Sequence, residues 1–479
     1  MTTFKILATS AAMLSFGAVN AAVTMPKYFS DNMVLQADTT AMLRGHATPG
    51  ALVQAAGSWG GKAEATADKK GAWQMYLPTP KASFEPLSLT VTDTKDGHSV
   101  SFGNVLAGEV WIASGQSNME MPLRGYNNQP IEGGGEEIVF SSKLGKGIRF
   151  LTIPKTPVYE PQYDVNATWK VSEPANAGEF SAVAWFFAKA IRDIIDTPVG
   201  IICNAYGGAK VEGFEPAEII AKYPDRNMKA EQADKNKAHH ERVGVMYYGM
   251  VLPVVGYTAR GFIWNQGESN VGGHDYYGDR QADMVNHWRK MWGNDDMKFY
   301  FVELPGWDYG DVNGTNAALF REAQNKAATT TPGAYIVCTS DLVYPDEPND
   351  IHARNKRSIG NRLAQSAATH TYGIKGIPHT YPTFREMEVK GNEAYLKFDN
   401  AWTGFSPNDA PEGFEVAGAD KVFHPADARI LPGEVIVVSS PDVREIKSVR
   451  YCFRNFAIGK LHDNYGMPLV PFRTDDWEK

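Results

Sequence analysis

The sequence predicts an α/β protein. Its centre reads as a three-layer α/β/α domain around a mainly parallel sheet, flanked by β-rich modules at both ends. Two patterns and the length predict this. Between residues 106 and 378, buried strand-like runs alternate with runs of helical spacing, as in a parallel sheet covered on both faces. Residues 23–105 and 379–479 carry short apolar runs parted by Gly and Pro signals, the pattern of antiparallel strands. The 479 residues leave room for about three domains of about 150 residues each.

Composition narrows the function classes. Hydrophobic residues make up 43% and charged residues 21%, which supplies a core and excludes general disorder. The net charge of −8 argues against a nucleic-acid partner, which needs clustered Lys and Arg. Eleven Trp, 21 Tyr and 23 Phe with 45 Gly and 28 Pro suit a loop-rich enzyme or a carbohydrate binder.

Residues 1–22 read as a signal peptide. Lys5 precedes a mostly apolar stretch over 6–19, and Val19-Asn20-Ala21 forms a plausible cleavage site. The stretch is shorter than the ~20 apolar residues of a membrane span, and no other approaches it. The expectation is an exported protein, periplasmic or extracellular, with no membrane span. Residues 23–105 then read as a small antiparallel sandwich, from VLQADTTAMLRGHATPGALVQA through LSLTVTD.

In the central region, VLAGEVWIASGQSNMEM reads as strand, turn and helix start. FSAVAWFFAKAIRDII (180–195), YYGDRQADMVNHWRKMW (276–292) and HARNKRSIGNRLAQSAATH (352–370) have helical spacing. GIICNA, ARGFIW, MKFYFVELP and AYIVCTSD read as strands between them. Beyond residue 379, MEVKGNEAYLKF, FEVAGADKVF, ARILPGEVIVVSS and SVRYCFRN form the closing β module. Cys203, Cys338 and Cys452 fit no zinc spacing, and the first two read as buried free thiols. The His residues are scattered, with His239–His240 in a charged helical stretch, so no metal site is expected.

Four polar clusters follow successive strands, where ligands sit in such sheets. In GQSNMEM (115–121), Gly115 permits a sharp turn and Ser117 is presented at a helix start as a candidate nucleophile. In NAYGG, Gly207 and Gly208 let a main-chain N–H approach an oxyanion. In IWNQGESN (263–270), Asn265, Gln266, Glu268, Ser269 and Asn270 crowd one loop, and an amide there can donate to the same oxyanion. In DEPNDIHARNK, His352 is a candidate base with Asp350 two residues before it. Nucleophile, donors and base at the ends of strands in one sheet describe acyl transfer.

GQSNM, a Gly-Gly loop, WNQGESN and a late His together resemble the SGNH (GDSL-type) hydrolase superfamily. Within it the chain resembles the sialate O-acetylesterase family of carbohydrate esterases. FSDNMVLQ (29–36), FREAQ (320–324), GFEVAGADKVFHPADARI, VRYCFRN and GMPLVPFRTD extend the likeness over nearly the whole mature chain. The resemblance implies that Ser117 attacks an acetyl ester and that His352 activates it. It implies an oxyanion hole made by the Ser117 N–H, the Gly208 N–H and the Gln266 side chain, with Gly207 and Asn265 as close alternatives. Asn265, Glu268 and Arg321 are implied as substrate contacts, Arg321 either meeting a sialate carboxylate or forming a structural ion pair with a neighbouring acid. The superfamily's Asp three residues before the His is here Asn349. The imidazole is then oriented by Asp350, by a more distant Asp341 or Asp346, or by a backbone carbonyl, or a Ser–His dyad operates. Three functions follow: a 9-O-acetyl sialate esterase, an esterase of acetylated xylan or another glycan, or a glycan binder with a degenerate hydrolase domain.

Overall fold

The computed structural model describes residues 22–477 apart from 235. The expected signal peptide, but for Ala22, lies outside these residues. Along its main path the central sheet runs in the order Ala334–Val337, Lys298–Val302, Gly261–Asn265, Ser99–Gly115, Val199–Ala205, Ile148–Thr152 and Lys170–Val171. Neighbours are parallel except the last pair. Both faces are covered, so these strands are near-continuous apolar runs rather than alternating ones. Residues 105–115 and the whole of Val199–Ala205 are buried.

The helix Ala182–Ile195 and the helix Lys356–His370 cover one face, packing Phe186, Phe187, Ile359 and Leu363 against Trp111 and Ile201. His274–Trp292 and Asn316–Thr330 cover the other, with Met284, Val285, Trp288 and Phe320. Local caps fix three of the four. Ser181 and Asn355 accept from Ala184 N and Ser358 N at 3.2 and 3.1 Å. Gly293, at φ +66°, closes the third in the left-handed conformation. The helix Asn316–Thr330 is not anticipated by the spacing argument above. Its start is capped from far away: Asn455 Oδ1 accepts from Ala317 N at 2.8 Å.

The N-terminal β unit is continuous with the central sheet. The single strand Ser99–Gly115 pairs with Ser83–Asp93 at its start, with Val34–Gln36 at 106–108, and with Val199–Ala205 and Gly261–Asn265 at its end. The expected division between 105 and 106 therefore falls inside one strand. The hairpin of Thr40–His46 and Ala72–Pro78 completes the unit. Its Leu43 and Leu77 share a core with Val53, Leu89 and Val91.

The C-terminal residues build two antiparallel sheets. One contains Thr383–Lys390, Glu393–Asp399, Val435–Ser439 and Asp427–Leu431, the other Phe423–Pro425, Phe414–Ala417, Ser448–Tyr451 and Phe472–Arg473. Leu396, Val416, Ile436 and Tyr451 lie in the core they share. Cys203, Cys338 and Cys452 are free and buried, and burial pushes the thiols of Cys203 and Cys452 up to about 12. No helix among the described residues is long and apolar enough to cross a membrane.

The helix that follows His352 is seated by a glycine. A Cβ on Gly360 would lie 2.6 Å from Phe186 Cβ, 2.7 Å from Phe187 N and 2.8 Å from Val183 O, atoms that cannot swing away. Gly360→Ala is expected to destabilise the protein by about 1–3 kcal/mol through overpacking. A lower melting temperature in calorimetry checks this, and an unchanged one counts against the close packing.

Candidate active site

The turn that carries the candidate nucleophile is built residue by residue. Gly115 ends its strand at φ +138°, where a Cβ would overlap the carbonyl oxygen of Asn265, so the position requires glycine. Gln116 is buried. Its N–H donates to Asn265 O at 3.0 Å. Its Oε1 accepts from Gln266 Nε2, Gly267 N and Ser269 N at 3.0, 3.2 and 3.3 Å. Ser117 opens the short helix Ser117–Glu120. Asn118, also buried, donates to Ile351 O at 3.0 Å and to Glu268 Oε1, and it accepts from Lys356 Nζ. Ser117 is thus held by its two neighbours, while its own side chain bonds to none of the described residues.

Asn118 also ties the segment of the candidate base to the turn of Ser117, because Ile351 adjoins His352. Tyr126 adds a second tie. Its ring meets the imidazole edge-on at 5.2 Å, and its hydroxyl donates to Ser117 O at 3.4 Å. The proton on His352 follows from its partners. Gln129 Nε2 donates to Asp350 Oδ1 at 2.8 Å, because a carboxylate only accepts. Gln129 Oε1 therefore faces His352 Nδ1, at 3.0 Å, and Nδ1 must carry the hydrogen. Nε2 keeps the lone pair, buried and without a partner among the described residues. Burial first, then the Lys356 charge, push His352 down to about 4 against the opposing pull of Asp350. The ring is neutral at pH 7.

These contacts correct the expected role of Asp350. Its carboxylate accepts from Gln129 and from His352 N at 2.9 Å, and Gln129 intervenes between it and the ring. Asp341 is paired with Arg362 and His462, and Asp346 with Arg354. Gln129 was missed because nothing marks it in sequence: it lies in a loop 223 residues from His352.

The oxyanion donors are also redistributed. The Gly207 N–H is taken by Glu120 Oε2 at 2.5 Å, whereas the Ser117 and Gly208 N–H groups have no partner among the described residues. The Gln266 amide, the expected donor, is engaged within the protein. Its two amide protons already serve Asn270 Oδ1, Gln116 Oε1 and Ala209 O at 2.8, 3.0 and 3.1 Å, and its Oε1 accepts from Tyr277. Asn265, in register beside Gly115, is 2% exposed with Nδ2 unpaired. It is the free amide of this loop. The ring of His240 packs over Gly208, 3.0 Å from where a Cβ would stand. That histidine lies in a single 3-10 turn, His239–Glu241, rather than in a longer helix.

Two expected substrate contacts lie inside the protein. Arg321 is buried and donates to Arg454 O. Glu268 is buried against Asn118, its carboxyl pushed up by burial. Lys356, fully buried and lowered to about 8 by burial, completes this network. Lys210 lines a cavity of ≈ 310 Å³ with Ser269, Asn270 and Tyr276, and Ser269 Oγ donates to Gly208 O at 2.9 Å. Lys210 has no ion-pair partner among the described residues, and the acids Glu212 and Asp225 line the same cavity. Among the described residues, no group of three or more His, Cys, Asp or Glu is placed to hold a metal ion.

Residues 107–369, which contain every one of these strand ends, match the family of carbohydrate esterases described as sialic acid-specific acetylesterases. The chain belongs to that family. This carbohydrate esterase is 24% identical to mouse (Mus musculus) sialate O-acetylesterase over 77% of each chain. It is 24% identical to the human (Homo sapiens) enzyme over 77% of this chain and 75% of that one. It is also similar to the crystal structure of a carbohydrate acetylesterase from Xanthomonas citri. The identity is 31% and the TM-score 0.83, covering 95% of this chain and 100% of that one. The esterase is a hydrolase of the sialate O-acetylesterase type.

The state of its histidine can be measured without any substrate. An NMR titration of the His352 ring is expected to give a midpoint near 4, because desolvation disfavours the charged form. A midpoint near the usual 6.5 would contradict the buried, unpaired Nε2.

Proposed function

We propose that this carbohydrate acetylesterase removes acetyl groups from O-acetylated sugars through an acetyl-serine intermediate. The observation that carries the reading is the set of polar groups left unpaired around one serine: His352 Nε2, Asn265 Nδ2 and the N–H groups of Ser117 and Gly208. Buried polar groups are normally satisfied, so the two buried ones, His352 Nε2 and Asn265 Nδ2, beside the free N–H groups of Ser117 and Gly208, suit a reacting group. In this reading Ser117 Oγ attacks the acetyl carbonyl as its proton passes to His352 Nε2. The three donors hold the oxyanion. Collapse releases the sugar hydroxyl with the proton from His352, and water then repeats the sequence on the acetyl-enzyme. No cofactor enters any step. Gln129, fixed by Asp350, keeps Nδ1 protonated.

For the substrate we propose O-acetylated sialic acid, with 9-O-acetyl sialate foremost, in keeping with the family and with the names of the mouse and human relatives. Lys210 takes over the carboxylate contact first assigned to Arg321. Acetylated xylan or another neutral glycan is the second reading, favoured by the burial of Arg321. We place the enzyme in the periplasm or outside the cell, on the strength of the signal-like residues 1–22.

Ser117→Ala is expected to abolish hydrolysis of an aryl acetate with the fold intact. Asn265→Ala is expected to lower kcat by about 10²–10³-fold; an effect of less than tenfold would remove it from the oxyanion hole. A deacetylation panel separates the substrates. Lys210→Ala should lower kcat/KM for acetylated sialic acid and leave acetylated xylo-oligosaccharides and the aryl acetate unaffected. Equal losses on all three would remove the carboxylate assignment.

A further inference from the structure

Away from the catalytic turn, the C-terminal module carries one large side chain that the fold does not use. Trp402 is 67% exposed, more than any other large hydrophobic residue described. Its ring contacts no other aromatic ring, and its indole N–H has no partner among the described residues. It borders an open groove of ≈ 520 Å³, whose walls include Arg385, Asp399, Asn400 and Glu434. Arg385 is held in place by Asp399, Nη1 to Oδ1 at 3.2 Å, and Asn400 donates to Tyr381 O at 3.2 Å. A second exposed aromatic stands close by in the chain fold. Tyr465, 61% exposed, follows Asn464, whose N–H donates to Thr403 Oγ1 at 3.3 Å.

We propose that this groove binds a neutral glycan, with Trp402 as its stacking platform. A flat indole beside fixed hydrogen-bonding groups suits a ligand with an apolar C–H face and a rim of hydroxyls. Hydroxyls donate to the carboxylates of Asp399 and Glu434 and accept from the Arg385 guanidinium. Two carboxylates against one guanidinium leave the groove negative, which disfavours an anionic chain such as a polysialate. The module is fastened to the catalytic domain by the pairs Arg473–Glu322 and His462–Asp341, at 2.8 and 3.2 Å. A glycan held there is therefore tethered to the same molecule as the esterase site. The proposal concerns binding and stands whether or not the catalytic assignments hold.

The experiment is affinity electrophoresis of the full chain in gels containing arabinoxylan, xyloglucan, galactomannan or polysialic acid. The expected result is retardation by at least one neutral polysaccharide and none by polysialic acid. Trp402→Ala is expected to weaken the retardation about tenfold or more, the scale of one lost stacking contact. Its melting temperature and its rate on a soluble aryl acetate should not change, because Trp402 is neither packed nor near Ser117. No retardation by any neutral polymer overturns the proposal. So does equal retardation of the variant, or binding to polysialic acid alone.

Discussion

One oxygen atom, Oε1 of Gln116, accepts from three donors on the loop 266–269, and the placement of Ser117 follows from it. The loop is thereby tied to the nucleophile turn on one side. On the other side, Asn118 ties the turn to Glu268, to Lys356 and to the segment carrying His352. An unmatched buried polar group costs about 1–3 kcal/mol, so most polar groups of such a clamp pair with one another. The crowding of amides in GQSNM and WNQGESN has this cause. Most of them bind each other, which fixes the loops and leaves the Asn265 amide without a partner among the described residues.

A buried, neutral imidazole fits the same construction. Desolvation and the neighbouring lysine both disfavour the charged form, and the one carboxylate that favours it is set back behind an amide. A direct Asp–His contact would raise the basicity of the ring more strongly. Gln129 fixes the tautomer without bringing a charge into contact. In the Ser–His–Asp arrangement one aspartate touches the ring directly, whereas here Gln129 stands between Asp350 and His352.

The strand–helix alternation and the order of the four clusters were readable because burial on both faces writes long apolar runs into the sequence. Three parts were not readable, each for a physical reason. The helix Asn316–Thr330 has its cap supplied by Asn455, 138 residues away, so no local start signal marks it. Gln129 acts across 223 residues from a loop with no pattern. The choice between Asn265 and Gln266 rests on which amide is already saturated, and adjacent residues of like chemistry cannot reveal that. The boundary at 105/106 was drawn where the hydrophobic pattern changes. The pattern does change there, because the strand passes from a sheet with an exposed face into one covered on both sides.

That uninterrupted strand has a mechanical consequence. The N-terminal β unit and the esterase sheet share a backbone segment whose last residue sets the nucleophile turn. The strand runs unbroken from Ser99 to Gly115, with no loop between the two regions. The unit is therefore no detachable appendage that could be shuffled onto another enzyme. It acts as a clamp on the upstream end of the catalytic strand, and the two regions should melt in one cooperative step.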